Sequence, residues 1–369
     1  MNLSIKNGPH QWIAGPVRLM WKSEGAPVAT SGRKSIPAQK DGDDVVLILP
    51  DMEPYAGLEI SIQDGNPCDK IMRISDSGKG TVDIICSGKK IAGYHYGGNV
   101  VRPYINPIVG PYGKSVLRPP APEGNPENID HKHHRGIWVA HGDTNGVDNW
   151  SEEPGHGWTV HQEFTESLEG PVFAKISTRN FWFDNARNRK ILEEYRTIIF
   201  YNIGTEERII DHFICLKATE GEVVFRDTKE SGLLSVRVMP SMEVDKGGTF
   251  ENSYGGINEA ECWGKRANWC DYYGNVDGKI VGIAVFDQPS NFRYPTWWHI
   301  RNYGLMTANF FGLSDFTGDK KISGTYILPA YEQLKLHYRI FVHAGTTSEA
   351  RTPLRYLNFL NPPEIVKVQ

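Results

Sequence analysis

Four of the twelve histidines fall within eleven residues, in the run Asp130-His131-Lys132-His133-His134-Arg135-Gly136-Ile137-Trp138-Val139-Ala140-His141. Imidazole titrates near neutrality, which suits it to giving and taking protons at physiological pH. If residues 135–141 form a strand, His134, Gly136 and Trp138 share one face, while Arg135, Ile137, Val139 and His141 share the other. His134 then sits beside the Trp138 ring, pairing a proton-transfer group with an aromatic surface of the kind that packs on sugar C–H groups. His134 and His141 are the first candidates for a general acid or base. Arg135, Trp138, Asn145 and Trp150 are candidates for holding a substrate. His131, His133 and His134 could also offer nitrogen to a divalent metal such as zinc, but their spacing fits no standard metal motif and no carboxylate completes it, so no cofactor is expected. A single strand histidine is more often structural. Clustering behind a long proline-rich segment, 102–127, is what favours a site here.

Two further segments carry chemistry. Arg226-Asp227-Thr228-Lys229-Glu230 follows one strand pattern and precedes another that contains Arg237. Lys229 and Glu230 could complete an acid/base pair, or be turn residues with surface ion pairs. The stretch Asp287 to Gly304 ends in Trp297-Trp298-His299-Ile300-Arg301, which adds His299 as a proton-transfer candidate and Trp298 and Arg301, with Arg237, as substrate contacts. His212, among Ile210, Ile214 and Leu216, reads as a core histidine. There is no GxSxG elbow, Walker loop, helix-opening GxGxxG or HExxH, so those hydrolase, nucleotide and zinc-protease templates fail.

The elements that must position these groups are strands. Gln333 to His343 alternates Leu334, Leu336, Tyr338, Ile340 and Val342 against polar neighbours, and 195–201, 208–217, 222–226, 281–286 and 324–328 behave similarly. The 38 glycines and 23 prolines supply the turns of a meandering antiparallel topology. The predicted fold is all-β, a large two-sheet sandwich with few short helices. With no Ser/Gly/Pro-rich linker, residues 1–369 read as one unit, 1–85 forming its opening portion or an N-terminal β-subdomain and 86–345 the core region. A net charge of −4 without a block of basic residues argues against nucleic acid or an anionic membrane as partner. Five irregularly spaced cysteines suggest no disulfide framework, and the absence of a leader-like segment or a long apolar run points to a cytoplasmic protein. Nothing in the sequence specifies an oligomeric state.

The string around Asp130 to Trp150, together with Asp227-Thr228-Lys229-Glu230, Trp263-Gly264-Lys265-Arg266-Ala267, the Pro289 to Gly304 run and a closing Tyr338-Arg339 to His343 motif, resembles the PmoA-like family over roughly 93–345. The chain departs from it at Lys132 and Asn149. The methane oxygenase name attached to that family does not suit a chain without a spanning segment. The resemblance implies a galactose-mutarotase-like supersandwich, a fold shared by sugar epimerases, polysaccharide lyases and glycoside hydrolases. The expected function is therefore that of a carbohydrate-active enzyme, with glycoside cleavage ahead of epimerisation and a small sugar ligand as partner. The rivals are a non-catalytic carbohydrate-binding or scaffolding protein and, more distantly, a metal-dependent oxygenase.

Overall fold

The computed structural model describes residues 1–66, 69–98, 100–120 and 130–368; Cys68 and the part of the proline-rich segment at 121–129 lie outside the described residues. The chain is all-β, and among the described residues three short α-helices, Asn258–Cys262, Leu313–Thr317 and Thr352–Leu360, accompany the strands.

Two antiparallel eight-stranded sheets face each other. The first runs Trp298–Ile300, Leu305–Ala308, Ser231–Arg237, Ile137–His141, Tyr104–Ile108, Lys89–His95, Thr81–Cys86, Met72–Asp76. The second runs Trp158–Leu168, Phe173–Phe183, Lys190–Tyr201, Arg208–Lys217, Gln333–Ala344, Lys279–Asp287, Trp269–Val276, Thr249–Asn252. Alternation decides what each strand buries. Ile137 and Val139 of one strand, Leu234 and Val236 of the next, and Leu334, Leu336, Tyr338, Ile340 and Val342 from the opposite sheet all enter one shared core.

Residues 2–65 build a separate pair of small sheets around their own core, which includes Leu3, Ile5, Trp12, Val45, Leu47 and Ile60, and the strand Glu364–Val368 joins one of them. The strand Met72–Asp76 already belongs to the first large sheet, so the change of sheet falls between Gly65 and Met72 rather than near residue 85. The small unit packs through Val46 and Ile48 onto Ile199, Tyr201 and Phe359, covering the outer face of the second sheet. The outer face of the first sheet is left to loops, and that is where the histidine-rich segment lies. No helix among the described residues is long and apolar enough to cross a membrane, a statement that does not concern strands.

Candidate functional site

Pairing register sets up this face. His299 is opposite Thr307, Thr307 opposite Ser235, Ser235 opposite Trp138, Trp138 opposite Tyr104, and Tyr104 opposite His95, so one row crosses six strands. Their strand neighbours Ile300, Met306, Val236, Ile137 and Ile105 lie in the core between the sheets, which turns the whole row outward. Arg237 and Leu305 form the next row on the same face.

The loop Asp130 to Arg135 folds over that face and enters the strand through Gly136. Gly136 has φ +80°, and a Cβ there would lie 2.3 Å from the Ile105 carbonyl oxygen, so glycine is required. Arg118 clamps the loop by donating to the carbonyls of Asp130 (2.8 Å), His131 (2.7 Å) and His134 (2.9 Å). The rings then pack as one cluster with nearly parallel planes. His134 lies 5.1 Å above Trp138, His131 lies 4.8 Å from His134, and Tyr303 lies 4.9 Å from His131, all within 21° of parallel. His133 meets His134 edge-on at 4.4 Å, and Trp150 closes the side at 5.6 Å from His134.

Two ion-paired groups orient the imidazoles. His131 Nδ1 is 2.9 Å from Asp130 Oδ2, and Asp130 is also held by Arg118 at 2.9 Å and Arg237 at 3.1 Å. Burial pushes the Asp130 carboxyl up, but its bonds from His131, Arg237 and Arg118 outweigh it and hold the group below the usual carboxylate range. It is therefore an anion that accepts the His131 Nδ1 proton, which leaves Nε2 as the ring nitrogen turned away from it. Arg237 donates to His134 Nδ1 at 3.3 Å and to Glu243 at 3.3 Å, and its guanidinium lies 4.8 Å from the Tyr303 ring centroid. Burial lowers His133 to about 3 and His134 well below the ordinary imidazole value, and neighbouring cations add to both shifts.

A cavity of about 340 Å³ opens beside this ring cluster, lined by His131, His133, Gly142, Asp148, Trp150, Ser151, Thr228 and Glu230. The carboxylate of Asp148 is occupied, since Oδ1 accepts from the backbone of Trp150 at 2.7 Å and Ser151 at 2.9 Å, and Oδ2 accepts the Ser151 hydroxyl. Glu230, half-buried and 3.8 Å from Lys229 Nζ, is the lining carboxylate left to face the cavity.

The other sequence candidates fall elsewhere. His141 points into the core between the sheets, 2.7 Å from Ser231 Oγ and against Phe225 and Phe311, and burial lowers it to about 3. His299 is on the site's face, but three strand spacings, roughly 14 Å, separate it from Trp138. Its Nδ1 donates to the Lys229 carbonyl at 2.6 Å, and burial lowers it to about 4. Trp298 faces the core, donating to the Ala267 carbonyl at 2.9 Å. Arg135 is committed to Glu152 through two bonds of 2.9 and 2.6 Å, and Arg301 pairs with Glu259 at 2.9 Å. Asn145 joins a turn, accepting from the Val224 backbone at 2.7 Å and donating to the Glu222 carbonyl. Among the described residues no three His, Cys, Asp or Glu side chains gather as metal ligands, and the parallel rings of His131 and His134 keep their lone pairs in separate planes.

Asp130, His131, Arg118 and Tyr303 were not singled out together from the sequence as a proton-transfer unit. The adjacency Asp130-His131 is the one local signal; Arg118 and Tyr303 arrive from distant segments, and His131 turns the chain at φ +47°.

Fold and face together define a two-sheet β-sandwich with a histidine-rich, aromatic-lined pocket on one outer face. The profile of a family of unknown function, DUF6807, matches residues 81–354, and the chain belongs to that family. The match takes in every residue of the pocket and leaves out the N-terminal unit. No curated protein matches the chain.

Proposed function

We propose that the protein is a carbohydrate-active enzyme that moves protons on a sugar bound in the cavity beside His131. The observation that carries this reading is the pairing of a carboxylate-oriented imidazole, His131, with the carboxylate of Glu230 on the walls of one aromatic-lined cavity. One group takes a proton from the sugar and the other returns it, the arrangement that general acid–base catalysis requires. Trp150 and the edge of His133 supply apolar and polar surface to the ring. Most glycosidases use two carboxylates. Here Asp148 is tied into the turn it stabilises, so a histidine has to act as the second group, which favours anomer exchange, epimerisation or elimination over direct hydrolysis.

Proton NMR of the purified protein with monosaccharides, disaccharides and uronic-acid oligomers separates these reactions in one spectrum. Turnover that vanishes in His131→Ala and in Glu230→Gln, with folding intact, supports the assignment. Turnover retained in both variants removes it. Sugar binding without any turnover identifies a non-catalytic binding protein instead.

A further inference from the structure

A chain of charges leads from His131 away from the cavity and down to the sheet. Arg237, 1% exposed, stands on the strand Ser231–Arg237 beneath the loop that carries Asp130 and His131. Its Nη2 group has two hydrogens, and three carboxylate oxygens lie within bonding distance of it: Oδ1 and Oδ2 of Asp130, both at 3.1 Å, and Oε1 of Glu243 at 3.3 Å. The donor is therefore shared between two carboxylates. Asp130 Oδ2 is also the atom that lies 2.9 Å from His131 Nδ1, so Arg237 and His131 compete for one oxygen. Neither Arg237 nor Glu243 lines the cavity.

Glu243 weighs on the outcome of that competition. A carboxylate drawing Nη2 towards itself loosens the guanidinium's hold on Asp130 and leaves Oδ2 to the imidazole. Which nitrogen of a neutral histidine carries the proton is set by the hydrogen bonds around the ring. An available Oδ2 keeps the proton on Nδ1 and leaves Nε2 for the substrate. Asp130 does not depend on Arg237 for its place, because Arg118 holds Oδ1 at 2.9 Å and ties down the carbonyls of Asp130, His131 and His134. The remaining titratable groups around His131 are His133 and His134 of its own loop, Tyr303 against its ring and Glu230 on the cavity wall. Among the described residues, Asp130 takes its side-chain bonds from Arg118, His131 and Arg237 alone.

We propose that Glu243 and Arg237 are positioning residues for His131: Glu243 draws the Arg237 guanidinium partly off Asp130, and Asp130 is thereby left to hold the His131 proton on Nδ1. Arg237, expected from the sequence to contact substrate, acts instead from beneath the loop. The inference rests on the carbohydrate reading above for the role of His131, and not for the coupling between these four side chains.

The test reads the ¹⁵N shifts of the two His131 ring nitrogens at alkaline pH, where the neutral ring reports its ratio of Nδ1–H to Nε2–H; His131→Gln assigns the signals. Glu243→Gln keeps the size of the side chain and removes its charge, so Arg237 settles onto Asp130 and the ratio should fall by about threefold or more. Made on top of Arg237→Met, the same substitution should leave the ratio unchanged, because the effect of Glu243 passes through the guanidinium. A ratio that Glu243→Gln does not move, or moves as far without Arg237 as with it, overturns the inference. If Arg237→Met does not fold, a crystal structure of Glu243→Gln decides. Arg237 Nη2 bonded to Asp130 alone, with residues 130–135 in place, supports the inference; an unmoved guanidinium or a displaced loop overturns it. In the enzyme assay Glu243→Gln should lower kcat by about threefold or more with KM held, since the change acts on the imidazole and not on a cavity wall. The NMR comparison needs no sugar, so the two readings fail separately. No turnover with any sugar removes the carbohydrate reading and leaves the coupling, whereas an unmoved ratio removes the coupling whatever the assay shows.

Discussion

The two large sheets both turn a polar outer face away from the shared core, and they use it in opposite ways. On the second sheet the charges are spent on one another. Asp211 accepts from Arg339 Nε at 2.6 Å, Arg339 Nη2 at 2.7 Å and the Tyr201 hydroxyl at 3.0 Å. Lys175 bridges Asp41 of the N-terminal unit and Glu166, and Arg18 ties Asp41 to Asp44. A cavity of about 880 Å³, larger than the one beside His131, runs along this network. On the first sheet the smaller cavity borders ring nitrogens that no protein group satisfies. Cavity size would direct attention to the second sheet, whereas unmet hydrogen bonds direct it to the first. Paired charges at an interface between two packed units hold those units together; unpaired donors in a pocket are available to a ligand.

Mutations that separate the two faces test this contrast. His131→Ala should lower turnover by about 10²–10⁴-fold, the usual contribution of a positioned acid or base, while lowering the melting temperature less than the loss of a buried charge does, because its side chain is 42% exposed. Enzyme assay and thermal unfolding of one preparation read both. Asp211→Ala should do the reverse, costing about 3–5 kcal/mol in urea unfolding because it strands the buried Arg339, with turnover of the folded fraction unchanged. Gly136→Ala should affect both, since the added Cβ meets the Ile105 carbonyl in a strained backbone conformation and displaces the loop that carries His131. About 1–3 kcal/mol of stability and a fall in turnover are expected together.

Acid stability gives a further separation. His141, His212 and His299 are buried and neutral, each lowered by burial to about 3 or 4. Unfolding lets them protonate, so their contribution is complete above about pH 6.5 and is lost as the pH falls towards their folded values, with a slope of up to about 1.4 kcal/mol per pH unit for each. His343 behaves oppositely. Burial lowers it, but Asp271 at 2.9 Å outweighs that and raises it, so its stabilisation is complete below the ordinary imidazole value and is lost as the pH rises through its folded one. Urea unfolding against pH should therefore show His343→Gln losing more stability at pH 6 than at pH 9. Trp298→Phe is expected to have the smallest effect, about 1 kcal/mol from the lost bond to Ala267, with sugar affinity unchanged.

Strand faces were the most legible feature of the sequence. The alternation from Gln333 to His343 matches the strand Gln333–Ala344 and its buried residues, and the alternation through 134–141 separates Trp138 from His141 as the structure does. The strand Phe173–Phe183 was not legible, because Lys175, Ser177, Asn180 and Thr178 are buried on a strand covered on both sides, where paired polar groups break the hydrophobic alternation. In the pocket, the sequence offered the histidines and the aromatic rings but not their grouping. Contact between His131, Tyr303, Arg237 and Arg118 depends on strand register and on a loop turning back over the sheet, and neither leaves a periodic trace. The same dependence separates Trp298 and His299: adjacent in sequence, they point to opposite faces.

The most direct test of the contrast between the faces is a crystal structure of the protein with the sugar that gives the strongest NMR response. Sugar density beside His131 and Trp150, with an oxygen within hydrogen-bonding distance of the Trp150 indole nitrogen, is the expected result. Density confined to the larger groove near Phe213 and His337 would contradict the account.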